Sequence, residues 1–133
     1  MVDNSQKDKA AAIALANHAV KKLAMEFSLT LKTRVSDLEK ALHKNELEKV
    51  VELSYNLETE ASTFGWPRVT RICKWLRKVF LGDYDQKPDA KDVLHVLNSL
   101  KLMVSDPENR NEQRDEDLFR ELYPIMAKVV SDF

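Results

Sequence analysis

The chain has 133 residues, 44% hydrophobic and 32% charged, with a formal net charge of −1. That length suits one domain over residues 1–133, with enough chain for a substantial core. The near-neutral balance gives no general attraction to nucleic acid or an anionic membrane, the single cysteine excludes an internal disulfide and a cysteine-built zinc site, and no apolar run approaches the ~20 residues of a transmembrane helix.

With two glycines and four prolines against abundant Ala, Leu, Lys and Glu, helices are favoured over sheet. The polar start, Met1 to Lys9, lacks a signal-peptide core and, with the lone cysteine, points to a cytoplasmic protein. Asp3, Asn4 or Ser5 can cap a first helix running to about Phe27, with Ile13, Ala16, Val20, Leu23 and Phe27 on one face. The pattern continues through Leu31, Val35, Leu38 and Leu42, which one long helix or two abutting helices would satisfy. Asn45 is placed to cap the next helix, whose Leu47, Val50, Ser54, Leu57, Ala61 and Phe64 share a face. Gly65 ends it, Pro67 opens another in its first turn, and Gly82 closes that one after about Leu81.

Asp83 to Lys87 reads as a loop, and Pro88 as the start of a helix carrying Val93, Leu94, Val96, Leu97, Leu100, Leu102, Met103 and Val104. Ser105 to Arg114, containing Pro107, reads as a second loop. A last helix spans Asp115 to Val130, where Pro124 is expected to introduce a kink or delay the start. No segment alternates with period two. The expected fold is all-α, an antiparallel four-helix bundle with additional N-terminal and C-terminal helical segments.

At about 100° per residue, Tyr55 points roughly 130° away from the centre of the buried stripe, and Val51, Glu58, Thr59 and Ser62 share its side. Around it, Leu57, Gly65, Val69, Cys73 and Leu76 recur in a spacing that resembles the signature of histidine-containing phosphotransfer domains. Those domains are helical bundles that relay phosphate between two-component signalling proteins. Their signature reads roughly His-x-Leu-Lys-Gly, then a Gly ten residues after the His, an apolar residue, a small or Cys position, and a Leu. Tyr55 stands at the phosphoacceptor position, and Glu58 and Thr59 stand where Lys and Gly would be. The resemblance covers about Phe27 to Gly82 and, more loosely, the helix after Pro88, and it favours a break or bend near Glu26 to Ser28.

The departures bear directly on chemistry. An imidazole, with pKa about 6.5, offers a nucleophilic nitrogen near neutral pH, whereas a phenol, with pKa about 10, stays protonated without an activating base. Glu58 would repel a phosphoryl group, and Thr59 fills room a partner's active site would need. The resemblance therefore implies a degenerate member that carries no phosphate, is not an enzyme and needs no cofactor or metal. It would bind a receiver domain or a histidine kinase, with Tyr55 as the aromatic anchor. Val51, Glu58, Thr59 and Ser62 would surround the ring, with Arg71 and Lys74 nearby. Two alternatives stay open: a generic helical adaptor unrelated to phosphorelay, and a phosphotransferase using a different acceptor. The oligomeric state is open as well.

The remaining features read more plainly. His18, His43 and His95 lack the signature around them and read as ordinary surface or boundary residues. Arg68, Arg71, Lys74, Arg77 and Lys78 form a basic helix with Trp66 and Trp75 beside or among them. These side chains either keep an amphipathic helix solvated while the indoles bury, or make a docking patch; a nucleic-acid role is disfavoured because the charge is local. Asp115 to Asp117 suit the N-terminus of the last helix, and Cys73 suits packing.

Overall fold

The computed structural model describes residues 4–106 and 109–131. The suggested cap at Asp3 and the loop proline Pro107 lie outside the described residues. Among the described residues every regular element is an α-helix: α1 (Asn4–His43), α2 (Leu47–Thr63), α3 (Pro67–Phe80), α4 (Ala90–Val104) and α5 (Glu112–Val129). The C-terminal part of α1 packs on α2 and α4, and α3 closes the ring by packing on the same two helices. Among the described residues the backbones of neither diagonal pair, α1 with α3 or α2 with α4, approach within 8 Å Cα to Cα, as expected when short connections set successive helices antiparallel around a shared core. Outside the ring, α5 lies against α3 and α4.

Apolar residues at helical spacing fill that core. Leu31, Val35 and Leu38 enter from α1, Val50, Leu57 and Ala61 from α2, Ile72, Cys73 and Leu76 from α3, and Val96, Leu100 and Met103 from α4. Trp75 is fully buried, and its Nε1 donates to the Met126 carbonyl at 3.1 Å. A buried indole N–H needs such a partner, and here the bond ties α3 to α5. Ser131 N donates to Asp85 Oδ2 at 2.8 Å and Asp85 N to the Val129 carbonyl at 2.8 Å, pinning the end of α5 to the α3–α4 loop.

Three helices end in the same way. A residue with positive φ follows each: Asn45 (55°) after α1, Gly65 (78°) after α2 and Gly82 (82°) after α3. In each case the next residue reaches back to a carbonyl five residues earlier: Glu46 N to Ala41 O at 3.0 Å, Trp66 N to Ala61 O at 2.8 Å and Asp83 N to Lys78 O at 2.9 Å. This left-handed terminator satisfies carbonyls the helix leaves free. Both glycines of the chain are used for it.

Several expected boundaries are corrected. Asn45 closes α1 and does not cap α2, whose N-cap is Glu46 with no side-chain bond. Its short amide tolerates the left-handed region, which overrides its capping preference. No break occurs near Glu26 to Ser28: α1 runs unbroken for 40 residues. Neither Gly nor Pro occurs from Asn4 to His43, and seven alanines between Ala10 and Ala24 favour helix. Leu47 is 50% exposed and lies outside the core, at the first turn of α2. Asp89, not Pro88, opens α4, accepting from Lys91 N at 3.0 Å. Asn111 opens α5 earlier than expected, accepting from Arg114 N at 2.9 Å. Pro124 lies inside α5 and neither ends it nor delays its start. Leu122 and Met126, buried on either side of it, anchor both halves to the bundle.

A candidate docking face on α2

The ring of four helices leaves one side of α2 to solvent, and Tyr55 stands on it with 56% of its surface exposed. Thr59 Oγ1 donates to the Tyr55 carbonyl at 3.1 Å, and Thr63 Oγ1 to the Thr59 carbonyl at 3.0 Å. Both threonines thereby satisfy their hydroxyls on the helix itself. Thr59 and Ser62 are exposed and Val51 and Glu58 are half-buried, so α2 brings these four sequence-expected residues to one side with Tyr55.

The floor of the face comes from α3. Arg77 Nε donates to Glu58 Oε2 at 2.8 Å and Arg77 Nη2 to Glu58 Oε1 at 3.3 Å. The same guanidinium lies 5.8 Å from the centre of the Tyr55 ring, within cation–π reach. The Glu58 hydrogen bond, followed by its charge, raises the Arg77 pKa above its ordinary value, keeping the guanidinium protonated. Glu58 is therefore a paired carboxylate and not a bare acid at this position. Underneath, Cys73 is fully buried, and burial together with the Glu58 charge pushes its thiol pKa well up. It serves as packing, not as a nucleophile.

Arg71 requires a correction. Its guanidinium lies 4.9 Å from the centre of the Phe119 ring and 5.6 Å from that of Tyr123, both on α5. At about 100° per residue Arg71 and Arg77 are about 120° apart around α3, so one faces α5 and the other α2. Arg71 is not part of the Tyr55 face. Lys74, between them in the sequence, is exposed. Arg77 was visible in the sequence only as one charge of a basic run. Its pairing with Glu58, 19 residues away, has no local signal.

Two further side chains join the face. Glu48 and Glu52 are exposed and lie within about 60° of Tyr55 around α2. The helical wheel carries this signal, although the phosphotransfer signature does not extend to these positions. The face is thus acidic along its N-terminal turns, apolar at the phenol, and uncharged at Thr59 and Ser62.

The other candidates resolve into structure. Trp66 is 2% exposed, with the Arg110 guanidinium stacked 3.6 Å from its ring centre and Arg110 Nη1 donating to the Gly65 carbonyl at 3.2 Å. With Trp75 also buried, the basic helix presents no indole to solvent. Arg68 pairs with Glu116 at 3.9 Å and Lys78 with Asp83 at 4.0 Å. Asp115, 3% exposed in the first turn of α5, accepts from Arg114 at 3.3 Å. His18 and His43 are exposed, and His95 Nε2 lies 3.7 Å from Glu121 Oε1. Among the described residues no group of three His, Cys, Asp or Glu is placed to hold a metal ion, and no helix is long and apolar enough to cross a membrane.

No protein-family model, no curated protein and no solved structure matches the chain.

Proposed function

We propose that this chain is a pseudo-phosphotransfer protein that binds a receiver domain or a histidine kinase of a cytoplasmic two-component relay and modulates signalling without carrying phosphate. The observation that carries the reading is the solvent-facing phenol of Tyr55 on α2, at the position where the resemblance puts the phosphoacceptor imidazole. The register supports it. Leu57, Val69, Cys73 and Leu76 are all 2% exposed or less, and Gly65 terminates α2 with positive φ. Those are the roles scaffold residues must fill if the site is built on this hairpin.

The face is suited to docking and poorly suited to transfer. A phenol offers no nucleophile at neutral pH without a base, and the guanidinium beside its ring is already committed to Glu58. Glu48 and Glu52 favour a partner whose rim carries Lys or Arg around an apolar socket for the ring. Aromatic side chains at the centre of small interfaces commonly dominate affinity.

The test is a binding measurement of purified receiver domains and histidine kinases against wild type and Tyr55→Ala, alongside a phosphotransfer assay. Wild type is expected to bind without acquiring acid-labile label, and Tyr55→Ala to bind at least tenfold more weakly, equivalent to about 1.4 kcal/mol. Its helical content should be unchanged, since the ring is mostly outside the core. Tyr55→His alone is expected to remain unlabelled. Equal binding by Tyr55→Ala would point to an adaptor using another surface, and labelling of the wild type would point to a different acceptor; either overturns the proposal.

A further inference from the structure

The end of the bundle away from Gly65 is hollow. A cavity of about 560 Å³ opens there, between the ends of α1 and α3 and the start of α4. Its floor is apolar: Leu97 and Val79 are buried, and Leu42, Phe80 and Val93 are half-buried. Its rim is more polar, with His43, Tyr84 and Lys87 exposed beside Leu47 and Leu94. Small-molecule sites have this form: a recess of about 300–1,000 Å³, mostly apolar, with a few polar groups that fix orientation, and in bundles they lie between helices.

The wall is built by a longer connection than the fold needs elsewhere. Residues 44–46 join α1 to α2 and residues 64–66 join α2 to α3, whereas residues 81–89 join α3 to α4. That loop brings Gly82, Tyr84, Lys87 and Pro88 to the cavity. It is held from its other side. Asp85 N donates to the Val129 carbonyl and Asp85 Oδ2 accepts from Ser131 N, both at 2.8 Å, and Asp89 caps α4. These bonds use neither the Tyr84 hydroxyl nor the Lys87 ammonium. A wall fixed in this way lowers the ordering cost of taking up a ligand.

Charge indicates the occupant. The residues that line the cavity include Lys87 and His43 and no acid. The acids of the two loops at its edge are engaged elsewhere: Glu46 lies 3.7 Å from Lys49, Asp83 lies 4.0 Å from Lys78, Asp85 holds Ser131 N, and Asp89 accepts from Lys91 N. Among the described residues the His43, Tyr84 and Lys87 side chains have no hydrogen-bond or ion-pair partner. An ammonium, a phenol and an imidazole all offer donors to a carboxylate, and the one fixed positive charge balances one negative charge. We propose that this cavity binds an amphiphilic carboxylate, with its aliphatic chain on the apolar floor and its carboxylate at the Lys87 rim. The Tyr55 face contributes no residue to the cavity, so the inference stands apart from the docking role.

Octanoate is the probe, titrated into the full chain and followed by amide chemical shifts, with octanol as the uncharged molecule of the same chain length. Saturable binding of octanoate is expected, with shifts concentrated around the cavity wall. Lys87→Glu should weaken octanoate about tenfold and leave octanol nearly unchanged, since only the carboxylate reads the charge. Ala90 is exposed and lines the cavity, so Ala90→Trp should obstruct both probes. Leu94→Asp, at a rim position 49% exposed, should repel octanoate and keeps the test open if the indole disturbs the fold. The control lies on α1, where every described side chain from Ser5 to Glu26 is exposed and Phe27 is the first buried residue. Val20→Asp, on that uncovered stretch, should leave binding of both probes unchanged. Absence of saturable octanoate binding, equal loss of octanoate and octanol in Lys87→Glu, or binding that responds to Val20→Asp and not to Leu94→Asp would each overturn the inference. So would a dimer in sedimentation equilibrium that Leu94→Asp dissociates, which would give the cavity to a second copy.

Discussion

Arg77 is the residue on which the Tyr55 face rests. Its guanidinium spans Glu58 by two hydrogen bonds and passes beside the phenol, so it sets both the local charge and the surface under the ring. Both partners are largely shielded, with side-chain exposures of 23% and 18%, so this pair contributes more than an ordinary surface bridge. Arg77→Ala is expected to lower stability by about 1–2 kcal/mol in urea unfolding, with Arg77→Lys recovering only part because an ammonium lacks the planar fork. Adding Glu58→Gln to Arg77→Ala should recover part of the loss, since no half-buried carboxylate then stands unpaired; a double mutant as unstable as Arg77→Ala would show that the loss came from packing. Ser54 makes the opposite point at the same scale. It lies fully buried on the core side of α2, and its Oγ has no hydrogen-bond partner. The helical wheel gave its direction but could not reveal its lack of a partner.

At the scale of elements, helix ends show what a local signal can and cannot carry. Gly65 and Gly82 were readable as terminators because glycine is the residue for which the left-handed conformation costs least. Asn45 was read as a cap because its side chain suits both tasks, and only the Glu46-to-Ala41 bond settles which one it performs. Gly65 offers a clean test. Its φ is 78° and a Cβ there would meet no atom within 4 Å, so Gly65→Ala adds backbone strain without a clash. The expected loss is about 1–2 kcal/mol; a cost near zero would mean that the end of α2 rearranges. Pro124 is the complementary case. An interior proline removes one hydrogen bond and crowds the preceding turn, yet α5 passes through it because Leu122 and Met126 are held by the bundle.

At the scale of the whole molecule, the Trp75 indole makes a buried polar tie between the ring and α5. Trp75→Phe is expected to cost about 1–3 kcal/mol, since the Met126 carbonyl loses its side-chain donor and the larger ring leaves a void. Hydrogen exchange should rise first in α5; uniform acceleration in all helices would show that α5 and the ring unfold as one unit. The helical class, the outward direction of Tyr55 and the burial of Leu57 were readable from apolar residues recurring at helical spacing, because burial of one face is a periodic property of neighbouring residues. That periodicity carried α1 as well, but it could not say that cover begins only at Phe27. Where α2 and α4 end in space is decided by the packed ring, and so is the fact that Arg77 faces Glu58 while Arg71 faces Phe119. Charge partners and uncovered faces depend on residues far apart in the chain meeting at a few ångströms, and no spacing along the sequence records that distance.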